Sequence, residues 1–301
     1  MTLRFIHLIL CISASITLAA QSYSAHTRAW GDIEHHGRAW VTNLSKDNKI
    51  SKGLQDRHIS LWASHGYYYD QQKQKWKWQR PNLFGTTEDL FTQTIVVPYL
   101  IPMLENAGAN VFTPRERDWQ KHEVIVDNDD ERPGTSYLEI NVNGNWEKAP
   151  QKGFANRKSV YSDGENPFQQ GTCRMATSTK RKNPSLVSYQ PNLPQAGKYA
   201  VYVSYQTVEK SVDDAQYIVY HKGQETSFSV NQQMGGGTWV YLGTFDFDAG
   251  DNPYNRVVIT NLSRKKHRVV TTDAVRFGGG MGNIQRCLLY TSPSPRDATL
   301  S

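Results

Sequence analysis

His65 and Glu88 are the residues of this sequence whose types and spacing suggest chemistry. His65 precedes Gly66 after a short apolar run, and Glu88 lies at the start of a predicted helix. In an open α/β sheet, the end of a strand and the start of the next helix lie at one edge, so both side chains are expected to face one crevice. Imidazole and carboxylate are ordinary zinc ligands, but a catalytic zinc needs a third protein ligand. A hydrogen-bonded loop histidine and a glutamate placed for the helix dipole are the open alternatives.

An aromatic-rich loop is predicted directly after His65, with Tyr67, Tyr68, Tyr69, Trp76 and Trp78. Flat rings beside a metal could stack on the sugar faces of a glycan strand. The alternative is that the rings pack beneath the loop or against another part of the chain, since Trp and Tyr serve both purposes. The pattern leaves both interpretations open.

The elements that would position these residues follow a strand, helix, strand order. Residues 58–64 and 110–113 are short apolar runs typical of strands, and residues 86–108 carry a mostly apolar stripe typical of a helix. Pro98 and Pro102 should kink or split that helix. A unit of this length predicts a parallel strand pair with a right-handed crossover.

The segment before this unit, residues 26–56, is polar and is interpreted as a pro-segment or an N-terminal helix. A single helix face would collect its larger apolar residues, which are Trp30, Ile33, Trp40, Val41 and Leu44.

From residue 123 onward the sequence changes to short alternating runs separated by turn residues such as Lys222-Gly223. The runs cover residues 199–205, 216–221, 226–230, 239–247, 256–261 and 269–277. Several short strands at such spacing, without a helical stretch among them, predict an antiparallel β-sandwich over residues 123–280.

Composition and cysteine usage restrict the class of protein. The chain has 301 residues, 38% hydrophobic and 21% charged, which disfavours disorder. Residues 1–25 have the layout of a secretory signal peptide, so we expect a secreted, periplasmic or extracellular protein without a membrane anchor after cleavage. Cys173 then has no partner for an intramolecular disulfide, since Cys11 and Cys287 lie in the two terminal segments. The net charge of +6 becomes +6 − 1 = +5 without the two terminal segments, which permits but does not imply an anionic glycan partner, and no nucleic-acid partner is expected.

Residues 287–301 read CLLYTSPSPRDATLS and show neither helical nor strand periodicity. This text resembles the conceptual translation of a sequencing-library adaptor. We interpret it as a non-native tail, and we expect the gene to be truncated near Arg286.

Residues 57–70, 76–80 and 86–118 resemble secreted Bacteroidetes proteins related to zinc-dependent N-acetylmuramoyl-L-alanine amidases. The resemblance implies that His65 and Glu88 are the first two zinc ligands and that Arg115 lies in the substrate-binding region together with Tyr67, Tyr68, Trp76 and Trp78. The third zinc ligand and the catalytic glutamate of that family are not found here. The zinc site would therefore be incomplete, and no catalytic residue is assigned.

Residues 196–206, 214–247 and 271–284 are similar to the β-sandwich of golvesin and of the xanthan-lyase C-terminal region, which is described as carbohydrate-binding-like. The resemblance implies a sandwich inserted into the amidase domain. The fold prediction is therefore an α/β amidase-like fragment with an incomplete sheet, at residues 57–122, plus an antiparallel β-sandwich, at residues 123–280.

The leading hypothesis is a fragment of a zinc amidase acting on peptidoglycan, inactive in this truncated form. The alternative is an extracellular polysaccharide-binding module of a xanthan-lyase-type protein without amidase activity. Peptidoglycan or another extracellular glycan is the expected partner in either case. We also expect the sandwich to fold without the α/β part, because the sandwich contains all its strands.

Overall fold

A computed structural model describes residues 38–47, 50, 53–55, 57–61, 66–80, 82–113, 117, 119–129, 134–155, 157–158, 161–162 and 165–280. The predicted signal peptide at residues 1–25, the adaptor-like tail at residues 287–301, His65 and Arg115 lie outside the described residues. The described residues from Ala39 onward form one compact unit. None of the described helices has the length and apolar character that crossing a membrane requires.

The first part of the chain forms short strands and one interrupted helix. Its elements are β1 (Val41–Asn43), β2 (His58–Ser60), β3 (Tyr67–Asp70), β4 (Lys75–Trp78), β5 (Asn82–Leu83), β6 (Thr86–Thr87), α1 (Glu88–Ile95), a π-helical turn (Val96–Leu100), α2 (Ile101–Asn106) and β7 (Asn110–Phe112). β2 and β7 pair in parallel, with Ile59 opposite Val111, which confirms the predicted parallel pair. We call β2 to β7 the crossover region.

Pro98 interrupts the predicted helix. A proline cannot donate the backbone hydrogen bond that an α-helix requires, and here the chain widens into a π-helical turn at Val96–Leu100. Pro102 lies in the first turn of α2, directly after the π-helical turn. The predicted irregularity of this helix is therefore found as a π-helical turn at Pro98.

The aromatic segment is a hairpin, and the prediction of a loop was wrong. β3 and β4 pair antiparallel, with Tyr67 opposite Trp78 and Tyr69 opposite Trp76. Aromatic residues that alternate along a segment fit a pleated, half-buried strand surface. This preference outweighs the low strand propensity of the polar residues between them. Gln74 takes up the left-handed backbone of the turn with a φ of 48°.

Within the described part of the N-terminal segment, residues 38–47, 50 and 53–55, the chain forms the strand β1 and no helix, and the remainder of that segment lies outside the described residues. β1 adds to the edge of the sandwich, where Val41 lies opposite Val230. Trp40 precedes it, and its indole Nε1 donates a hydrogen bond of 2.6 Å to the Tyr205 hydroxyl. Gly235 leaves room for this indole, because a Cβ there would lie 1.8 Å from Trp40 Cζ2. A distant sheet edge thus decides the conformation of this segment.

The regular elements in the rest of the described chain are strands, apart from one 3-10 turn at Pro167–Gln169. The strands are β8 (Glu123–Asp127), β9 (Ser136–Ile140), β10 (Glu147–Gly153), β11 (Gly171–Thr177), β12 (Leu186–Gln190), β13 (Asn192–Leu193), β14 (Gly197–Val203), β15 (Ala215–His221), β16 (Gln224–Val230), β17 (Val240–Phe247), β18 (Gly250–Asp251), β19 (Arg256–Thr260), β20 (Val269–Thr272) and β21 (Ala274–Gly278).

Two antiparallel sheets face each other and form the predicted sandwich. The first has the order β1-β16-β15-β19-β12-β9, and the second has the order β17-β14-β21-β8. Alternate residues point inward, as expected for pleated strands: Tyr217 and Val219 from the first sheet and Val201, Val203 and Phe277 from the second are buried in one core. Two smaller sheets have the orders β10-β11-β20 and β13-β18.

The turn at Lys222 and Gly223 illustrates how local sequence sets the register. It joins β15 to β16, and its two residues have φ values of 47° and 74°. Two successive left-handed residues are the geometry of a tight two-residue hairpin turn, and His221 pairs with Gln224 across it. The predicted turn is therefore confirmed.

The run at residues 269–277 is two strands, because the chain changes sheets at Asp273. β20 pairs with β11, whereas β21 pairs with β14 and β8. Asp273 is fully buried, and its Oδ2 accepts hydrogen bonds from Phe154 N (2.8 Å) and Ser204 Oγ (3.1 Å). Burial raises the pKa of this carboxyl well above its ordinary value, and the nearby Asp127 carboxylate acts in the same direction. The fold therefore favours a protonated Asp273.

Candidate functional site

Glu88 is the one predicted zinc ligand that lies within the described residues. It is the first residue of α1 and is partly exposed, while His65 lies outside the described residues. Over the described part of the chain, no cluster of three or more His, Cys, Asp or Glu side chains could hold a metal ion. The described residues therefore do not supply a zinc site, and the metal assignment stays a prediction.

The hairpin brings four aromatic rings together on one face. Tyr67 stacks on Trp76 with ring centroids 5.7 Å apart and meets Trp78 edge-on at 5.0 Å. Tyr69 meets Trp76 edge-on at 5.6 Å. All four residues are half-buried. We call Tyr67, Tyr69, Trp76 and Trp78 the aromatic face.

Tyr68 lies on the opposite face of the hairpin, away from the other predicted binding residues. There the Lys77 ammonium lies 5.3 Å from the Tyr68 ring centroid and 2.6 Å from Asp70 Oδ2. The hydrogen bond from Lys77 holds the pKa of Asp70 below its ordinary value. Asp70 Oδ1 also accepts backbone hydrogen bonds from Gln72 and Lys73, which fixes the hairpin turn. This face therefore supports the hairpin through a charged pair, whereas the aromatic face groups four rings.

Between β7 and β8 the chain forms a second surface, which the sequence reasoning missed. A cleft of about 540 Å³ is lined by polar and basic residues that include Trp119, Lys121, His122, Gln195, Lys198 and Thr244. We call it the basic cleft. The order Trp-Gln-Lys-His at residues 119–122 was the available signal, an aromatic residue beside basic residues just ahead of a strand.

Arg117 anchors this segment to the second sheet. Its guanidinium lies 4.1 Å from the Tyr241 ring centroid, and its backbone N donates to the Tyr202 hydroxyl at 3.1 Å. The same guanidinium pairs with Glu105 of α2 at 2.7 Å. Because the Arg117 side chain is 8% exposed and already paired, it serves the cleft as a fixed wall.

Amide side chains hold the other walls. Gln120 Nε2 donates to the backbone oxygen of Lys198 at 3.2 Å, and Gln120 Oε1 accepts from His122 N at 3.0 Å. His122 Nε2 lies 3.3 Å from Gln195 Oε1. Gly278, with a φ of 71°, permits this close approach, since a Cβ there would lie 2.3 Å from the His122 backbone oxygen. The cleft is thus built by residues far apart in the sequence.

Comparison with known proteins identifies the sandwich. Residues 124–279 match the family model described as Golvesin C-terminal domain. A xanthan lyase from Bacillus sp. (strain GL1) is 36% identical over 97 residues, which is 32% of this chain and 10% of that protein. The chain therefore spans about a tenth of the length of this curated relative.

Two solved structures show weaker similarity. A Paenibacillus xanthan lyase matches with 24% identity and a TM-score of 0.38, covering 52% of this chain and 13% of that one. The C-terminal CBM6 of LamC, a marine laminarinase from Zobellia galactanivorans, matches with 16% identity and a TM-score of 0.28, covering 48% and 99%. Because the family model matches more than half of the residues of this chain, the chain belongs to the Golvesin C-terminal domain family.

Proposed function

We propose that this chain is an extracellular polysaccharide-binding module without amidase activity. The observation that carries the proposal is the aromatic face. Each of its rings offers a flat apolar surface, and two of them, Tyr67 and Trp76, lie nearly parallel with 9° between their planes. The C–H faces of sugar rings fit such surfaces, and stacking removes apolar area from water on both partners.

Family membership supports the same function. The xanthan lyase relative acts, by its name, on a polysaccharide, and it shares a segment of 97 residues with this chain. Because that segment is a tenth of the relative, we propose the binding of a polysaccharide for this chain and not the lyase reaction. An extracellular location follows from the nature of such a ligand.

Affinity electrophoresis of the full chain tests this function. The gels contain hydroxyethyl cellulose, xyloglucan or carboxymethyl cellulose, and retardation measures binding. We expect retardation by at least one polymer and a loss of about tenfold in affinity for Trp76→Ala, since Trp76 contacts both tyrosines of the aromatic face.

Tyr254→Ala is the matched control. Tyr254 is a solitary aromatic residue that is 68% exposed, so its removal should leave retardation unchanged. Unretarded migration in all three polymers would overturn the proposed function, and equal losses in the two variants would show that the aromatic face is not the binding surface.

A zinc amidase acting on peptidoglycan is the second candidate. The observation that favours it is the parallel pair β2 and β7, whose crossover carries Glu88 at the first position of α1. Since the described residues contain no three-ligand cluster, we derive no zinc-dependent step from them. Calorimetric titration with zinc should show weak binding that Glu88→Gln weakens further. Binding that is tight, stoichiometric and insensitive to Glu88→Gln would contradict the ligand assignment.

A further inference from the structure

We propose that two adjacent basic loops of the sandwich bind the anionic groups of an acidic polysaccharide. The loops are residues 180–182, between β11 and β12, and residues 264–268, between β19 and β20. We call them the basic loops. This inference rests on the proposed function, because it names the chemical class of the polysaccharide and a surface for it separate from the aromatic face.

The basic loops lie side by side at one end of the first sheet. β12 and β19 pair antiparallel with Leu186 opposite Thr260, so the loop before β12 and the loop after β19 leave the sheet at the same end. Thr179 and Leu262, which precede the basic loops, form a parallel bridge. Ser263 N donates a hydrogen bond of 2.9 Å to Thr179 O. The fold therefore joins two separate stretches of basic sequence into one surface.

The basic loops carry more positive charge than the carboxylates paired with them offset. Each of their residues except His267 is Lys or Arg, which gives seven cations, and both loops lie wholly within the described residues. Arg264 pairs with Asp214 at 3.1 Å, and Lys265 pairs with Asp213 at 2.8 Å. The other five cations have no carboxylate partner in the described chain. Such a surface attracts an anionic ligand and disfavours a cationic one.

Two further exposed carboxylates lie near the basic loops, and each has a lysine beside it in the chain. Glu209 precedes Lys210, whose backbone oxygen accepts a hydrogen bond from Val269 N at 2.8 Å just after the second loop. Glu147 begins β10 and precedes Lys148. Because each of these neighbouring pairs has no net charge, the excess positive charge of the basic loops remains.

Hydrogen bonds hold the backbone of both basic loops in place. Ser178 is buried, and its Oγ accepts from Arg268 N at 2.9 Å and donates to Lys265 O at 2.7 Å. Asn143 Nδ2 donates to Lys182 O at 3.1 Å. The backbone is thus ordered before a ligand arrives, and the entropy lost on binding is mainly that of the exposed lysine and arginine side chains.

The residue types of the basic loops favour a polysaccharide over a nucleic acid. Residues 178–184 and 262–269 contain no Phe, Tyr or Trp. Proteins that bind single-stranded nucleic acid stack its bases on aromatic rings, which these residues do not supply. A carboxylate or sulfate group on a sugar needs a nearby cation, and the Lys ammonium is a compact positive charge on a flexible stem. The loops therefore fit anionic groups spaced along a glycan chain.

Affinity electrophoresis of the full chain in two matched pairs of polymers tests the inference. Carboxymethyl cellulose and hydroxyethyl cellulose share a glucan backbone, and only the first carries carboxylates. Dextran sulfate and dextran differ in the same way by sulfate groups. We expect the anionic member of at least one pair to bind about tenfold more tightly, and this preference should shrink as salt is raised. The pair with the larger preference identifies the anionic group.

The double variant Lys180→Gln, Lys266→Gln removes one exposed cation from each basic loop. It should lower the affinity for the preferred anionic polymer about fivefold and leave the binding of the neutral polymers unchanged.

The double variant Lys152→Gln, Lys222→Gln is the charge-matched control. It removes two exposed lysines, one on β10 and one in the turn between β15 and β16, at the other end of the first sheet. Equal affinity within both polymer pairs, or equal losses in the two double variants, would overturn the inference while leaving the proposed function intact.

Two further outcomes separate the inference from its alternatives. Binding of an anionic polymer that depends on Lys180 and Lys266 but not on Trp76 would support the basic loops and overturn the role of the aromatic face. Tighter binding of a DNA duplex than of the preferred anionic polysaccharide would overturn the glycan assignment, since phosphate groups also attract exposed Lys and Arg side chains.

Discussion

The sandwich and the crossover region lie in one compact unit but differ in how they are stabilised. In the described chain, the main core of the sandwich contains 24 buried apolar residues drawn from both large sheets. The crossover region has a buried cluster of three, Ile101, Ala109 and Val111, with further side chains partly buried around it. Because burial of apolar area is the main stabilising contribution, the sandwich should fold by itself and the crossover region should depend on its contacts with the sandwich.

The exposure of apolar side chains on the helices of the crossover region shows the same difference. Ile95, Tyr99 and Met103 are 47%, 65% and 68% exposed, whereas inward-facing residues of the sandwich strands are almost completely buried. Several contacts join the region to the rest of the unit, and two of them depend on single large side chains. Trp40 packs on Phe112 with ring centroids 4.1 Å apart while it bonds to Tyr205, and Arg117 pairs with Glu105. Each of these two contacts can be tested by replacing one residue.

The largest expected difference concerns the chemical reactivity of Cys173. This thiol is fully buried, and burial raises its pKa well above the ordinary value, so it should react only when the sandwich unfolds globally. The free energy of global unfolding of a domain of this size is about 5–15 kcal/mol, and Cys173 should be protected by that amount.

Iodoacetamide labelling of a Cys11→Ser, Cys287→Ser variant measures this protection, and hydrogen exchange of α2 and β7 provides the comparison. We expect the amides of α2 and β7 to exchange long before Cys173 is labelled. Labelling that keeps pace with their exchange would mean that the two regions unfold together.

Phe277→Ala should destabilise the sandwich by about 3–5 kcal/mol, because Phe277 is fully buried and packs on Phe247 with ring centroids 5.6 Å apart. The corresponding change in the crossover region, Val111→Ala, should cost about 1.5 kcal/mol and leave the sandwich transition unchanged. Denaturant unfolding followed by Cys173 labelling and by exchange of β7 separates the two effects. Val142→Ala, at a position 57% exposed, is the control and should change neither transition.

Trp40→Ala should uncouple the two regions at a cost of about 2 kcal/mol, since it removes the indole hydrogen bond and the ring contact with Phe112. Limited proteolysis should then cleave the crossover region sooner and leave the sandwich intact. Trp40→Phe keeps a ring and should lose about half as much, mainly the hydrogen bond. Unchanged proteolysis in Trp40→Ala would show that other contacts hold the region.

The smallest effect is a pH dependence confined to the sandwich. The folded pKa of Asp273 is raised above its unfolded value of 3.8, so the folded state binds more protons than the unfolded state between the two. Stability contributed by protonation is therefore present below pH 3.8 and is lost as the pH rises through the folded pKa. Denaturant midpoints measured from pH 4 to neutrality should fall for the wild type and fall less for Asp273→Asn. An equal slope in both would assign the pH dependence to other groups.

The candidate surfaces were only partly predictable from the sequence. The aromatic composition of residues 67–78 identified a cluster of rings. Only the hairpin pairing showed that Tyr68 and Trp76 lie on different faces of the hairpin. The basic cleft was not predicted, because Lys198 and His122 are separated by 76 positions in the chain and meet through side-chain hydrogen bonds from Gln120 and Gln195. No local sequence pattern indicates that residues so far apart in the chain lie close together in the structure.

The sequence by itself determined the strands of the sandwich and their turns. Alternation along β14 and β15 and the Lys222-Gly223 turn act over a few residues, and local steric and burial preferences are sufficient to specify them. Only the tertiary structure decided that the segment after Trp40 pairs with β16, and that the chain leaves one sheet for another at Asp273. Both outcomes depend on which distant strand edge and which buried donors are available, and these are set by the packing of the whole core.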